Sequence, residues 1–120
     1  MKTSWYFILC VAVSTLAYAA ANASHERLLK LSPADRAKLF TTFLARGRQT
    51  CPGGVVRTFF QGMDSEHAAY WDVACQKEAL YSIRVSPDAA GSTKIIPCHV
   101  QEKMSGVPCF VSFSELKKRK

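Results

Sequence analysis

The chain lacks the short motifs that mark the common enzyme and cofactor sites. It has no Cys-x-x-Cys pair, which argues against a structural zinc site and against a thiol oxidoreductase. It also lacks the Gly-x-Ser-x-Gly turn of hydrolases and the Gly-x-x-x-x-Gly-Lys loop that cradles phosphates. We therefore predict no metal site and no cofactor, and we assign no catalytic residue.

Internal repeats and low-complexity tracts are missing as well, and so is an apolar run of about 20 residues, the length that spans a membrane. The N-terminal apolar run, Trp5–Leu16, is shorter, follows the single charge of Lys2 and precedes a cluster of small residues. This order is typical of a secretory signal. An uncleaved membrane anchor is the alternative, and the shortness of the run disfavours it.

Two positions fit the small-x-small rule for signal cleavage. Ala17-Tyr18-Ala19 places the cut before Ala20, and Ala21-Asn22-Ala23 places it before Ser24. The second position is favoured because charged residues follow Ser24 at once.

The predicted organisation is a leader at residues 1–23 and a single domain at 24–120. The 97 residues of the domain (120 minus 23) suit one modest core and are too few for two domains. No transmembrane segment is expected after cleavage.

Five cysteines are present, and the first, Cys10, lies in the predicted leader. An exported domain keeps the other four in an oxidising compartment, where two disulfides are the expected state. Four cysteines allow three pairings. The short excursion between Cys98 and Cys109 closes easily, which favours that bond together with a bond between Cys51 and Cys75.

The formal charge is +7, from 16 basic and 9 acidic residues. A basic surface favours anionic partners. Four of the basic residues form a C-terminal cluster, which is either a solvated end or a candidate binding surface: Lys117, Lys118, Arg119 and Lys120. The expected partner is an unknown protein or an anionic envelope component, and no specific nucleic acid is predicted.

The first half of the domain has helical patterns. Ser32-Pro33-Ala34-Asp35 is typical of a helix start with Ser32 as the cap, and Gly47 is a stop signal. Between them apolar residues recur at three- and four-residue steps and form one stripe. A short helix over 25–31 is expected to precede this one.

After Cys51-Pro52-Gly53-Gly54 the pattern changes to that of strands. A first strand is predicted over 55–60, broken by Gln61-Gly62-Met63-Asp64. Two alternating runs follow and form an antiparallel hairpin with one buried face: Trp71, Val73, Cys75, Tyr81, Ile83 and Val85. One more strand, the third of the meander that begins with the hairpin, is predicted over 93–96, at an edge or a strand end because of Pro97.

The end of the chain completes the predicted fold. Residues 99–105 indicate one or two helical turns, and Cys109–Phe113 is an apolar run that predicts a closing strand. The fold class is α+β. The helix that begins at Ser32 packs on a small antiparallel sheet, and two disulfides lock the domain.

Two groups of polar side chains are candidate sites. Tyr70 and Arg84 occupy the second face of the hairpin and form a candidate binding surface for a sugar, a peptide or a partner. Asp64, Glu66 and His67 cluster just before the hairpin. Carboxylates beside an imidazole fit either acid–base chemistry or a solvated turn.

Several short runs carry a resemblance to a known group of proteins. They are Gly62-Met63-Asp64, Ala69–Cys75, Tyr81–Ile83 with Ser86-Pro87-Asp88, Cys98 and Cys109-Phe110. With its Tyr-Trp-x-Val-x-Cys core, this pattern is similar to that of small uncharacterised exported (periplasmic) proteins of Gram-negative bacteria. The resemblance covers about the second half of the domain and implies a similar hairpin, a similar disulfide framework and a periplasmic or extracellular location. It implies no catalytic residue.

The leading hypothesis is a non-enzymatic binding module of the periplasm or cell envelope. The alternative is a small secreted, nuclease-like hydrolase that uses His67 or His99 in acid–base catalysis. An exposed, converging pair of histidines in a cleft would favour the enzyme. An apolar patch beside Tyr70 would favour the binding module.

Overall fold

A computed structural model describes residues 21–118. The predicted leader, apart from its last three residues, lies outside this range, as do Arg119 and Lys120. The elements of the described part are, in chain order, α1 (Ala23–Lys30), α2 (Pro33–Arg46), β1 (Val55–Met63), β2 (Ala69–Cys75), β3 (Leu80–Val85), β4 (Thr93–Pro97), α3 (Cys98–Ser105) and α4 (Phe113–Lys118).

The strands form one antiparallel sheet in the order β1-β2-β3-β4. In the central hairpin Trp71 lies opposite Ile83, and Val73 lies opposite Tyr81. Every residue of the predicted hairpin face is buried, so the hairpin and its face are confirmed. The α+β class is confirmed too, because helices pack on this sheet.

Helix α2 begins where the sequence predicts. The Ser32 hydroxyl accepts a hydrogen bond from the Asp35 backbone amide at 3.1 Å. Phe40 and Leu44 of its apolar stripe are fully buried in the core, and the Phe40 ring lies 5.8 Å from that of Trp71. Full burial of such a side chain contributes about 1.5–3 kcal/mol. The stripe therefore holds α2 on the first face of the sheet, the face of Trp71.

Strand β1 is longer than predicted. It runs to Met63, so the expected break at Gln61 is wrong. A register shift between Phe60 and Gly62 absorbs the extra residue and keeps β1 paired with β2. Gly62 has φ 150° there, and a Cβ atom on it would lie 2.4 Å from the Phe113 ring. The glycine thus serves close packing within a strand and does not mark a turn.

The C-terminal segment covers the second face of the sheet. Helix α3 contacts β3 and β4, and α4 contacts β1. The closing strand predicted over Cys109–Phe113 is wrong, because the chain turns there before α4 begins. Phe110 has φ 61°, which no strand residue adopts. The carbonyl of the next residue, Val111, accepts a hydrogen bond from the side-chain amide of Gln61 at 3.1 Å.

Both predicted disulfides are confirmed, Cys51–Cys75 and Cys98–Cys109. The first joins the α2–β1 loop to the end of β2, and the second joins the start of α3 to the loop that follows it. Disulfides are typical of proteins that fold in an oxidising compartment. Within residues 21–118, no helix has the length and apolar composition needed to cross a membrane.

Loss of either disulfide should lower the free energy of unfolding by about 3 kcal/mol, the chain-entropy value for loops of this size. We expect the double change Cys98→Ser and Cys109→Ser to lower the denaturation midpoint and to speed amide exchange at Phe110, whose loop this bond holds. The matched pair Cys51→Ser and Cys75→Ser should lower the midpoint and leave Phe110 protected. Unchanged midpoints under oxidising conditions would contradict this account.

Candidate functional site

Tyr70 and Arg84, the predicted binding pair, lie side by side on the second face of the sheet. They are direct partners across β2 and β3. The Arg84 Nε donates a hydrogen bond to the Tyr70 hydroxyl at 3.3 Å. The structure therefore brings together the two residues that the alternation of the hairpin assigned to one face.

The guanidinium of Arg84 is already occupied by neighbours in the chain. Its Nη2 lies 3.1 Å from a Glu66 carboxylate oxygen and 3.7 Å from one of Asp64. Its Nη1 donates to the Ser86 hydroxyl at 2.9 Å, and the Tyr70 hydroxyl donates to Asp64 at 3.0 Å. This group fastens the β1–β2 turn to the hairpin and leaves little of Arg84 for a ligand.

Asp64 is held in its charged form. Desolvation is the largest influence on the pKa of Asp64 and acts to raise it, but hydrogen bonds from Ala68, Tyr70 and Glu66 and the charge of Arg84 outweigh it and lower the pKa. A carboxylate held ionised by so many partners is a poor proton donor near neutral pH. The cluster of Asp64, Glu66 and His67 is therefore a turn that hydrogen bonds and ion pairs hold in place.

The exposed histidines do not converge. His67 lies in the β1–β2 turn, and His99 lies in the first turn of α3, directly after β4. Since consecutive strands run in opposite directions, these two places are at opposite ends of the sheet. The six residues of β3 correspond to about 20 Å of strand. The two imidazoles are thus too far apart to exchange a proton around one phosphate.

The C-terminal basic cluster is only partly described. Lys117 and Lys118 are exposed on α4, and Arg119 and Lys120 lie outside the described residues. Between residues 21 and 118, no three His, Cys, Asp or Glu side chains come together as metal ligands.

A cleft of about 920 Å³ lies between α1, α2, the β3–β4 loop and β4. We call it the helix–edge cleft. Its volume is within the range of about 300–1,000 Å³ that is usual for small-molecule sites. Six of its larger apolar side chains are buried or half-buried, and we call them the floor: Leu28, Leu31, Leu39, Phe43, Val85 and Ile95.

Three cations line the helix–edge cleft. Arg27 comes from α1, Arg46 from α2 and Lys94 from β4, and all three are exposed. No carboxylate is among the residues that line this cleft. In the described part of the chain, the ion pairs involve Arg84 and none of these three cations. The cleft therefore combines an apolar floor with an uncompensated positive rim.

Gly47 brings β4 close to the end of α2. A Cβ atom on Gly47 would lie only 2.7 Å from the Ile95 Cδ1 atom. The predicted helix stop is confirmed, since Gly47 follows the last residue of α2. The absent side chain also lets Ile95 pack beside the helix end and close the floor of the cleft.

Helix α1 forms the opposite wall and is held through His25. This residue is 3% exposed, its Nδ1 accepts a hydrogen bond from Trp71 Nε1 at 3.0 Å, and its ring stacks on Phe60 at 4.5 Å. Desolvation lowers the pKa of His25, and the charge of Arg36 adds to this effect, whereas Glu26 opposes it. The neutral imidazole is also the form whose Nδ1 can accept.

The second face contains a buried polar cluster of Gln61, Asp72, Ser82 and Gln101. The Asp72 Oδ2 accepts a hydrogen bond from the Phe110 backbone amide at 2.8 Å, but its Oδ1 has no partner. Desolvation raises the pKa of Asp72, and the hydrogen bond from the Phe110 backbone amide acts against it. This cluster anchors the C-terminal cover, and its member Gln101 also lines a small pocket of about 260 Å³ beside Tyr70 and Phe113.

No protein-family model, curated protein or solved structure matches the chain. Its function therefore has to be inferred from its own geometry, and the helix–edge cleft is the feature that sequence reasoning missed. Arg27-Leu28 and Lys94-Ile95 each place a cation beside an apolar residue, which is a weak signal. Only the packing of two helices against an edge strand joins these pairs into one site.

His25 should make the stability of the protein depend on pH. Because the pKa of His25 is lowered in the folded state, its neutral form contributes stability above the ordinary value of 6.5, and this is lost as the pH falls through the folded pKa. The free energy of unfolding, measured by urea denaturation, should decline as the pH is lowered from about 7.5 to about 5. His25→Asn keeps an acceptor for Trp71 without titrating, so its decline should be shallower. Parallel curves for the two proteins would contradict this role.

Asp72→Asn should stabilise the protein at neutral pH. The amide keeps an acceptor for Phe110 and removes a buried charge, so we expect a gain on the order of 1 kcal/mol in the free energy of unfolding. The raised pKa of Asp72 means that the gain should vanish below its ordinary value of 3.8, where the acid is protonated as well. As a control, Asp72→Ala should destabilise because the Phe110 amide loses its acceptor. Destabilisation by Asn at neutral pH would refute the assignment.

Proposed function

We propose that the protein is a non-enzymatic binding module of the periplasm or cell envelope, and that its ligand is an anionic amphiphile held in the helix–edge cleft. The observation that carries this proposal is the composition of the cleft, which has an apolar floor, three cations at the rim and no lining carboxylate. A ligand with a hydrocarbon chain and one anionic head group matches both parts.

The floor supplies most of the affinity in this proposal. Each methylene group removed from water contributes about 0.8 kcal/mol when fully buried. Leu28, at 3% exposure, is the floor residue that α1 contributes. The chain of the ligand is expected to lie between Leu28 and Ile95, which line the same cleft.

The rim supplies the selection of charge. An exposed ion pair contributes about 0.2–1 kcal/mol, so three cations favour an anionic head group moderately and disfavour a cationic one. These contributions weaken as salt screens them. The rim cations belong to three separate elements, so in this proposal the head group lies at the mouth of the cleft.

The expected compartment contains suitable ligands. The two disulfides and the predicted leader favour an exported protein. Anionic lipids are the envelope components that combine acyl chains with negative charge. The proposed partner is therefore the anionic envelope component that the basic composition suggests, recognised through the cleft and not through the C-terminal tail.

Binding of dodecanoate by the oxidised protein tests this proposal. Calorimetry should show one site, with octanoate weaker because fewer methylene groups are buried. Dodecyltrimethylammonium, with the same chain and the opposite charge, should bind at least about tenfold more weakly. Equal affinity for the two head groups, or no binding of dodecanoate, would refute the proposal.

Substitution of the rim provides the matched test. The triple change Arg27→Gln, Arg46→Gln and Lys94→Gln should weaken dodecanoate binding by about tenfold and leave the melting temperature nearly unchanged, since all three residues are exposed. The control removes the same charge elsewhere, at exposed positions that do not line the cleft: Lys77→Gln, Lys103→Gln and Lys117→Gln. If both triple variants lose affinity equally, the binding is due to general charge and not to the cleft.

A further inference from the structure

Asn22 is one of the most deeply buried polar residues of the domain, although it lies at the edge of the predicted leader. It is 2% exposed. Its side-chain amide donates to the backbone carbonyls of His67 and Val85, each at 2.9 Å. Its Oδ1 accepts a hydrogen bond from the His25 backbone amide at 3.0 Å and so caps α1.

These contacts make Asn22 part of the folded domain. The Val85 carbonyl lies at the end of β3, and the His67 carbonyl lies in the β1–β2 turn, so one side chain ties α1 to two places at the same end of the sheet. Buried carbonyls are almost always paired. Without Asn22, both carbonyls would lose this donor, and α1 would lose its N-cap.

Cleavage before Ser24 would remove Asn22 and would also create a new charged terminus. The α-amino group of Ser24 would stand at the first turn of α1, where the helix dipole disfavours positive charge. Ser24 is also close-packed, because a Cβ atom on Gly91 would lie 2.2 Å from its hydroxyl oxygen. The positive charge of the new α-amino group would also lie next to His25, the following residue, which is buried and has a lowered pKa.

We propose that the export signal is removed after Ala19, so that the mature protein begins at Ala20 and keeps Asn22. Ala17-Tyr18-Ala19 satisfies the small-x-small rule as well as the later site does. The distinction between the two sites comes from the fold, because only the earlier cut leaves the cap of α1 in place. This inference is independent of any ligand in the helix–edge cleft.

The intact mass of the exported protein tests the proposal. The full chain should be produced with its own leader in a Gram-negative host, and the oxidised product should begin at Ala20. Ala19→Leu places a large residue before the proposed cut and should abolish this product. Ala23→Leu does the same at the later site, on an exposed position, and should leave the product unchanged. A product that begins at Ser24, or one that retains the leader, would overturn the proposal.

A stability measurement tests the structural reason separately. In the exported protein, Asn22→Ala should lower the melting temperature by about 5 °C or more, since a cap and two buried hydrogen bonds are lost. The control Ala21→Gln changes the exposed neighbour and should leave the melting temperature within about 1 °C of the wild type. Equal melting temperatures for Asn22→Ala and the control would show that the domain does not need Asn22, and the inference would fail.

Discussion

The contact between Trp71 and His25 is the interaction on which the helix–edge cleft depends. Helix α1 has eight residues, too few to be stable without tertiary contacts. Its position is set by the hydrogen bond from Trp71 to His25 and by Arg36, which lies over the Trp71 ring at 4.8 Å and donates to the carbonyls of Leu28 and Leu31 at the end of α1. Since α1 is one wall of the helix–edge cleft, the shape of the cleft follows from this junction.

The two faces of the sheet are covered in physically different ways. The first face is apolar, and α2 buries Phe40 and Leu44 against it. The second face is partly polar, and the short C-terminal cover is held there by the Cys98–Cys109 bond and by the Asp72 carboxylate, which accepts the Phe110 amide. Aromatic contacts of Phe110 with Phe59 and of Phe113 with Tyr70 add to these two links.

Signals that are local in the sequence predicted the fold correctly. The Ser32 cap, the alternation over 69–85 and the short excursion closed by the second disulfide each depend on neighbours along the chain. The two wrong predictions concern residues whose contacts are distant in the sequence. Strand β1 continues through Gln61, whose side chain reaches Pro108, 47 residues away. The turn within Cys109–Phe113 is held by the bond from the Phe110 amide to Asp72 on the sheet. No window of sequence contains those partners.

The position of Lys94 on the edge strand has two explanations, which differ in whether they also account for the other two cations of the cleft. Edge strands commonly carry lysine because a charge prevents pairing with another chain, and Pro97 on the same strand acts in the same direction. This reason applies to β4 alone. It gives no cause for Arg27 and Arg46, which lie on helices and yet converge on the same cleft. Three cations from three elements around an apolar floor, without a lining carboxylate, are what the proposed anionic ligand requires, whereas edge protection accounts for Lys94 alone.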